Sequence, residues 1–333
     1  MSTSDVSALA IRAWATALLL SVLGLSVRAQ ESSLQRFEYR QTRMGMAVRI
    51  VLYAPNDSVA RHAGKAAYRR MTTLEKIFSS YRATSELNRL CERAVEDPVR
   101  VSTPLFTALQ HAQQLARRSN GAFDATARPY FDLWANARTT GTLPDSSTLQ
   151  RAERRVGWSK MDLNEQRQTV QLRADSMQLS LGGIAKGYIL DQALDTLRAL
   201  NVSRALIEAG GDLVVGRPPP SQTGWTVHLP GTGPNAPPQP LRLTDAAVST
   251  SGSTYQSVVI DGTRYSHVVD PRTGIGLTHH LLVTIIAEKG VTADGLATTV
   301  SVLGSSPGRA FLDKYYPRVT AYIRSHPEAT SSP

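Results

Sequence analysis

The chain contains very little cysteine and lysine for its size. One cysteine, Cys91, occurs among 333 residues, and only six of the 37 basic residues are lysine. A single thiol can form neither an internal disulfide nor a thiolate metal cluster, so the sequence excludes a disulfide-stapled scaffold and a cysteine-rich zinc domain. Stability must therefore come from an apolar core, for which a chain that is 41% hydrophobic has sufficient material.

The positive charge of the chain lacks the arrangement that nucleic-acid binding requires. The formal net charge is +10, but the 31 arginines are scattered, with adjacent pairs only at 69–70, 117–118 and 154–155. They form no dense stripe interleaved with aromatic residues. We therefore predict no nucleic-acid partner and assign the charge to solubility and non-specific attraction.

An extended apolar stretch occurs only before residue 30. It runs from Ala13 to Leu25, follows Arg12, and precedes Val27-Arg28-Ala29. The stretch is short for a membrane span and ends at small residues, so it predicts a signal peptide over residues 1–29. The alternative is an uncleaved anchor, which would hold the protein at the inner membrane. Export without a structural disulfide points to the bacterial periplasm.

Hydrophobic periodicity predicts strands and helices that alternate irregularly along the chain, without a repeat of fixed period, which indicates an α+β fold. Residues 46–53 alternate as a strand, and Asn56 can cap a long amphipathic helix that follows it. Asp261-Gly262 between two strand-like runs is a strong hairpin signal. We predict a mixed or antiparallel sheet core with packed helices and a helical insertion, in one domain over residues 36–324 with a disordered tail over 325–333. A doubly wound parallel sheet is the alternative, which the hairpin disfavours.

Two segments in the middle of the sequence also predict local structure. Residues 121–129 are small and irregular, which favours a loop at the surface. Residues 177–181 alternate apolar and polar, which favours a strand that leads into Gly182-Gly183. A strand, a glycine loop and a helix N-terminus in this order would form an anion-binding arrangement.

Three short segments of the C-terminal half together suggest phosphate and cation chemistry. They are Gly182–Gly187, which includes Lys186; His267–Gly274; and Ala293–Thr298, in which Asp294 and Thr298 share a helix face. Bare glycine backbone and a lysine suit a diphosphate, and oxygen ligands suit Mg²⁺. The segments predict an enzyme that handles a nucleotide-like cofactor.

Each segment taken alone has a simpler explanation. The glycine pair could be a tight turn beside an exposed lysine, and His267 could be structural. Asp294 could cap its helix while Thr298 bonds back to the main chain. Only their combination indicates a site.

The order of the motifs along the chain resembles that of the ApbE family of FAD:protein FMN transferases, from about residue 40 to 323. The motifs are Met44-Gly45, Tyr81 with Ser85-Glu86-Leu87, Gly121 to Thr126, Gly182 to Gly187, Gly210-Gly211-Asp212, Thr250-Ser251-Gly252, His267 to Gly274, and Ala293 to Thr298. Single motifs are weak, whereas eight in series are specific.

The resemblance implies a Mg²⁺-dependent enzyme that cleaves FAD, attaches FMN through a phosphoester to a threonine of an exported acceptor, and releases AMP. A flavin-carrying subunit of an Rnf-type or Nqr-type redox complex would be such an acceptor. Two alternatives remain open: an FAD pyrophosphatase that releases FMN and AMP to water, and a non-catalytic periplasmic flavin-binding protein.

The resemblance also assigns roles to residues by position. His267 would be the base that deprotonates the acceptor hydroxyl, and Asp294 would be essential through the metal. The cofactor would contact Met44, Tyr81, Ala122, Phe123, Asp124, Ser180, Lys186, His267 and Val268. Magnesium would take the Gly183 carbonyl, the Asp294 carboxylate and the Thr298 hydroxyl, with Ala297 adjacent.

Three positions depart from the family pattern. Met46 replaces a frequent threonine, and Ser180 and Ser253 each replace a frequent aspartate. The loss of a carboxylate at position 180 would affect metal affinity and substrate preference. Val248 occupies the acidic place of the family's acceptor pattern, so we predict no self-modification at Thr254.

Overall fold

The computed structural model describes residues 34–229, 238–252 and 257–325. The predicted signal peptide, Ser253, Thr254 and residues 326–333 of the predicted tail lie outside the described residues. Ser325, where that tail was predicted to begin, is the last residue of a strand and pairs with Leu281.

The described chain alternates helices and strands irregularly along its length. In chain order the elements are β1 (Gln35–Arg43), β2 (Met46–Ala54), α1 (Asp57–Phe78), α2 (Glu86–Arg93), β3 (Val99–Arg100), α3 (Thr103–Arg118), α4 (Arg128–Thr140), α5 (Ser146–Glu153), a 3₁₀ turn (Trp158–Lys160), β4 (Met161–Asn164), β5 (Thr169–Leu172), α6 (Ala185–Ala199), β6 (Ala205–Ala209), β7 (Asp212–Val215), β8 (Trp225–Leu229), β9 (Gln239–Leu243), β10 (Ala246–Gly252), β11 (Ser257–Ile260), β12 (Thr263–Ser266), β13 (Val269–Asp270), β14 (Ile275–Gly276), β15 (Leu281–Ala287), α7 (Gly290–Leu303), α8 (Ser305–Tyr315) and β16 (Thr320–Ser325).

A seven-stranded sheet forms the centre of the fold, in the order β1-β2-β6-β7-β10-β15-β16. Every neighbouring pair in this sheet is antiparallel. The predicted α+β class with an antiparallel core is therefore confirmed, and a doubly wound parallel sheet is excluded.

Two glycine turns lie at the same end of this sheet. Met44 and Gly45 join β1 to β2 with φ of 53° and 73°, and Gly210 and Gly211 join β6 to β7 with φ of 55° and 92°. Consecutive positive φ angles are typical of type I′ hairpins. Since Val48 pairs with Ala209, the register of β2 and β6 brings both turns to one edge of the fold.

Helices cover one face of the sheet, and a hairpin covers part of the other. Helix α1 packs against α6, α6 packs against α7, and α7 lies on β10 and β15. On the opposite face, Trp225 of β8 contacts Val51 and Val215, and Val227 of the same strand contacts Val248. The alternation of buried and exposed residues in β8 is what a strand with one solvated face requires.

Helices α6 and α7 cross with their main chains in direct contact. A Cβ atom on Gly187 would overlap the carbonyl oxygen of Gly290. The Asp191 carboxylate of α6 accepts hydrogen bonds from the Gly290 and Val291 amides, at 2.7 and 3.0 Å. These bonds satisfy the first amides of α7, which begins at Gly290.

The predicted helical insertion consists of α4 and α5 packed on the short hairpins β11–β12 and β13–β14. Trp134 is fully buried there and donates from Nε1 to the Ser266 carbonyl at 2.8 Å. The ring of Tyr130 packs beside Gly274, and the Trp134 ring packs beside Gly276, where a Cβ atom would not fit. The insertion thus has a small core of its own.

Two local predictions were wrong, because the two segments lie against each other. Residues 121–127 are buried, and residues 177–181 form no strand. Instead, the Ser180 amide donates to the Ala125 carbonyl at 2.7 Å, and the Leu179 amide donates to Cys91 Sγ at 3.3 Å. Met177, Leu179 and Leu181 keep their alternating burial, but their segment lies against the buried loop instead of joining a sheet.

Cys91 should react slowly with iodoacetamide in the folded protein. Burial raises the pKa of its thiol to about 11, although the Leu179 amide and nearby Arg128 oppose the shift. A higher pKa means less thiolate at a given pH, so alkylation at pH 8 should be about 100-fold slower than in urea and should accelerate as pH approaches 11. Mass spectrometry of labelled protein measures both rates. Equal rates in the folded and unfolded protein would contradict this prediction.

Among the helices of residues 34–229, 238–252 and 257–325, none has the length and apolarity that crossing a bilayer demands.

Candidate active site

Three cavities meet at the glycine loop that precedes α6. Their volumes are about 640, 560 and 320 Å³, and Gly182 lines all of them. Gly183, His267, Val268 and Thr298 line both the largest and the smallest cavity. The cavities form one branched cleft, which we call the glycine-loop cleft, with the loop at its junction.

The three segments singled out in the sequence converge at this junction. A Cβ atom on Gly183 would lie 3.1 Å from Thr298 Oγ1 and 2.9 Å from the Phe123 ring, so the main chain of the loop lies directly against both side chains. Asp294, one turn before Thr298 on α7, accepts a hydrogen bond from the Gly187 amide at 3.0 Å. The glycine loop, α7 and the segment around His267 therefore border the same space.

Asp294 is a buried carboxylate in an unusual electrostatic environment. Burial raises its pKa to about 7, and the charge of Asp212 acts in the same direction. Lys186 and the amide of Gly187 oppose this shift because they stabilise the ionised form. A cation bound at the carboxylate would also favour the ionised form.

Lys186 and Asp212 form an ion pair beside Asp294, in which the carboxylate is buried and the lysine side chain is 29% exposed. Lys186 Nζ lies 2.5 Å from Asp212 Oδ2. Burial by itself lowers the pKa of Lys186, but the charges of Asp294 and Asp212 and the hydrogen bond outweigh it, so the pKa is raised. The lysine is consequently an ammonium group at neutral pH and can neutralise phosphate oxygens, but it cannot act as a base.

The oxygen groups around Gly183 fit a hard divalent cation. A main-chain carbonyl, a carboxylate and a hydroxyl form the donor set that Mg²⁺ accepts, and a phosphate and waters could fill its other positions. Within the described part of the chain, no three His, Cys, Asp or Glu side chains cluster as a metal site would. Ala297 is fully buried next to Thr298 and does not line the cleft.

Met44 and Tyr81 border the 560 Å³ arm of the cleft. Met44 belongs to the β1–β2 turn, and its amide donates to Glu75 Oε2 at 3.4 Å. Tyr81 is 98% exposed, and it also lines the smallest cavity. An aromatic ring that covers nothing in this structure is available to stack on a planar ligand.

Ala122, Phe123, Asp124 and Ser180 line the smallest cavity. Asp124 Oδ1 accepts from the Thr126 amide and hydroxyl at 2.8 and 2.7 Å, and its Oδ2 accepts from the Trp158 amide at 2.9 Å. Burial raises the pKa of Asp124, and these bonds oppose the shift. Asp124 therefore orders the buried loop while it borders the cavity.

Ser180 and Met46 show how two departures from the family pattern are accommodated. The Ser180 hydroxyl accepts from the Gly182 amide at 3.3 Å, a bond that ties the loop locally without a carboxylate. Met46 packs against the β6–β7 turn, where a Cβ atom on Gly210 would lie 2.7 Å from its sulfur. The third departure, Ser253, lies outside the described residues.

His267 and Val268 lie between the largest and the smallest cavity. His267 is exposed and follows the last residue of β12, while the Val268 amide donates to Ser266 Oγ at 3.0 Å. The structure places an imidazole within the cleft, as the proposed role of a base requires. The role of His267 as a base and the binding roles of the other cleft residues stay predictions.

The sequence reasoning did not assign a role to Asp212 or to the residues that hold it. Asp212 is 1% exposed, and its Oδ1 accepts from Ser249 Oγ at 2.6 Å and from the Thr250 amide at 3.3 Å. The sequence did carry one signal for Asp212, which is its position directly after Gly210-Gly211. A tight turn fixes the main chain and therefore also the direction of the side chain that follows it. Gly187 was taken as part of the loop, whereas its amide binds Asp294.

Comparisons with known proteins show the same architecture and sequence family. A family model described as the ApbE family matches residues 44–323. An FAD:protein FMN transferase of Chlamydia trachomatis serovar D is 30% identical over 79% of this chain and 83% of its own length. One from Treponema pallidum strain Nichols is 28% identical, over 91% of this chain and 88% of its own.

A solved structure extends this likeness to three dimensions. The crystal structure of the Pseudomonas stutzeri flavinyl transferase ApbE in its apo form matches with a TM-score of 0.78 and 26% identity, over 87% of this chain and 91% of that chain. The matched residues 44–323 include every residue that borders the glycine-loop cleft.

Proposed function

The chain belongs to the ApbE family and is an FAD:protein FMN transferase, and we propose that it uses Mg²⁺ to move FMN from FAD to a threonine of an exported acceptor, with release of AMP. The observation that carries this proposal is that Gly183, Asp294 and Thr298 line one arm of the cleft together with Lys186. These groups suit the diphosphate of FAD and its cation.

The residues of the cleft divide the chemistry between them. The acceptor hydroxyl attacks the phosphorus on the flavin side, the bond from that phosphorus to the bridging oxygen breaks, and AMP leaves. His267 takes the hydroxyl proton, as a neutral imidazole can. Lys186 binds the phosphate oxygens, and Tyr81 orients the flavin ring. A cation held by Gly183, Asp294 and Thr298 would neutralise charge on the diphosphate.

A denaturing gel tests this reaction directly. The mature protein is incubated with FAD, MgCl₂ and a flavin-carrying subunit of an Rnf-type or Nqr-type complex, and the gel is scanned for flavin fluorescence. Fluorescence that migrates with the acceptor, and that disappears when its target threonine is replaced by valine, supports the proposal. An acceptor that stays dark, while its own established transferase labels it, contradicts the proposal.

Hydrolysis of FAD is a second candidate reaction at the same site. The exposure of Tyr81 leaves the flavin arm open, so water can reach the cleft when no acceptor occupies it. FMN and AMP should then accumulate without an acceptor, and adding the acceptor should divert flavin into the covalent product. A non-catalytic flavin carrier would instead keep FAD intact in MgCl₂, with no AMP formed over hours.

Replacement of Tyr81 by alanine should weaken FAD use without affecting the fold. Loss of stacking on the flavin should raise KM for FAD by about 2- to 10-fold, the range expected for one aromatic contact. Because the ring is 98% exposed, the melting temperature should stay unchanged. Tyr81→Phe is the matched control and should keep the wild-type KM. An unchanged KM in the alanine variant would remove Tyr81 from the flavin site.

We further propose that the protein acts outside the cytoplasm, in the periplasm. The support is the sequence of residues 1–29, in which Arg12 precedes the apolar run and small residues precede the cleavage point. Intact-mass measurement of the exported protein distinguishes cleavage after Ala29 from an uncleaved anchor.

A further inference from the structure

Asp212 occupies a position that its burial alone does not explain. It is the first residue of β7, it is 1% exposed, and its two carboxylate oxygens point in different directions. Oδ1 accepts from Ser249 and Thr250 of β10, and Oδ2 binds Lys186 of α6. The carboxylate thereby joins two strands of the sheet to the helix that begins at the glycine loop.

The contacts of Asp212 restrict the side chain of Lys186. A lysine has four rotatable side-chain bonds, and an exposed one samples many conformations. Here the ammonium group lies 2.5 Å from a carboxylate that is itself fixed by two further hydrogen bonds. One of its three N–H groups is committed to Asp212, and the group borders the junction of the cleft, where the others can reach a ligand.

We propose that Asp212 is a positioning residue for the transfer reaction, which fixes the Lys186 ammonium at the diphosphate. This inference rests on the proposed function, because it takes Lys186 to contact the diphosphate. It adds a residue that touches neither the flavin nor the acceptor and that acts through Lys186. A fixed ammonium loses less freedom when the ligand binds, and this increases affinity.

A purely structural role for Asp212 makes different predictions. In that case the carboxylate would only tie β7 to β10, and its loss would lower stability without a specific effect on FAD. Ser249 offers the comparison, because Ser249→Ala removes one strand-to-strand hydrogen bond and leaves the Lys186 pair in place. Asp212→Asn does the reverse, since the amide oxygen can still accept from Ser249 and Thr250 while the charge is lost.

We expect Asp212→Asn to weaken FAD binding by roughly 10- to 100-fold, the range for residues that orient a functional group. Ser249→Ala should change FAD affinity by less than about 3-fold, because the Thr250 amide still holds Asp212 and the Lys186 pair stays in place. The affinity is measured by fluorescence titration without an acceptor, with and without MgCl₂. Weakening that is equal in both variants would overturn the inference.

A double-mutant cycle with Lys186→Met shows whether Asp212 acts through the lysine. If it does, Asp212→Asn should change FAD affinity by less than about 2-fold once the lysine is absent, because the two effects are then not additive. The melting temperature gives a second readout, because two substitutions that each only removed structure would lower it further when combined. Lys186→Met leaves a buried carboxylate unpaired, so adding Asp212→Asn should raise the melting temperature of that variant.

The outcomes separate this inference from the proposed function. If the wild-type protein binds FAD but labels no acceptor, the proposed function fails, and the binding cycle still tests the link between Asp212 and Lys186. If the protein labels the acceptor while Asp212→Asn weakens FAD binding equally with and without Lys186, the proposed function stands and only the positioning role of Asp212 is overturned.

Discussion

Replacement of Asp294 by alanine should reduce FMN transfer by roughly 10³-fold or more, because a metal ligand contributes several kcal/mol to stabilisation of phosphoryl transfer. Asp294 supplies the only carboxylate of the proposed ligand set, beside the Gly183 carbonyl and the Thr298 hydroxyl. The neighbouring Lys186 cannot replace it, since an ammonium group repels a cation. The measurement is the initial rate of acceptor labelling on a denaturing gel, over a series of MgCl₂ concentrations.

The matched variant Asp294→Asn separates the lost charge from lost packing. Asparagine keeps the volume and can accept from the Gly187 amide, but it binds Mg²⁺ weakly, so we expect it to be nearly as inactive as alanine. Circular dichroism should show an intact fold for both variants. Wild-type activity of either variant in excess Mg²⁺ would remove Asp294 from the metal site.

The raised pKa of Asp294 also makes the stability of the metal-free protein depend on pH, and it fixes the direction of that dependence. Burial, aided by the charge of Asp212, raises this pKa to about 7. Between the ordinary carboxylate pKa and about 7, the folded protein therefore binds more protons at this group than the unfolded chain does, and its contribution to stability falls as pH rises through that window. Asp294→Asn has no such group and should lose this part of the pH dependence.

Replacement of Gly187 by alanine should destabilise the protein by about 3 kcal/mol or more, or prevent folding. A Cβ atom there would overlap the Gly290 carbonyl and approach the Val291 amide at 2.8 Å, and main-chain atoms cannot move aside as a flexible side chain can. To admit the methyl group, α6 and α7 must separate, which also strains the bond from the Gly187 amide to Asp294. Urea denaturation followed by circular dichroism gives the change in the free energy of unfolding.

Gly182→Ala is the control for this substitution. It adds the same methyl group in the loop that leads into α6, where a Cβ atom at Gly182 meets only Ser180 Oγ, at 3.5 Å. We expect its unfolding midpoint to stay close to that of the wild type, although its FAD affinity can change because Gly182 lines all three cavities. Equal midpoints for the two variants would show that the helix crossing relaxes more easily than this geometry allows.

The strands and helices that the sequence predicted are those with strong local signals. Strand β2 alternates clearly, α1 begins after Asn56, whose side chain accepts from the Val59 amide at 3.0 Å, and Asp261-Gly262 turns with φ of 50° and 75°. Strand β10 lacked such a signal, because Ala246 to Gly252 are mostly small residues of low strand preference. Its pairing with β7 and β15 makes it a strand, and that pairing depends on distant residues.

The site was predictable as a set of motifs, but not as a network of contacts. The resemblance grouped Gly183, Asp294 and Thr298 as metal ligands; all three line the same arm of the cleft, and their role as ligands stays a prediction. The alternation of apolar and polar residues predicted a strand over residues 177–181, because alternating burial looks the same whether the neighbour is a strand or a buried loop. Asp212 was missed for a related reason: its partners on α6 and β10 lie 26 and 37 residues away in the chain.

The crossing at Gly187 and Gly290 has a consequence for how this enzyme can diversify. At this crossing the main chains of α6 and α7 touch with no side chain between them, and this contact sets the spacing between α6 and α7, which bears Asp294. Substitutions elsewhere in the core can then change packing without altering that spacing. His228, on the exposed face of β8, lines the cleft without belonging to this crossing, so a substitution there can alter the contacts of the cleft while the Gly187–Gly290 spacing is kept.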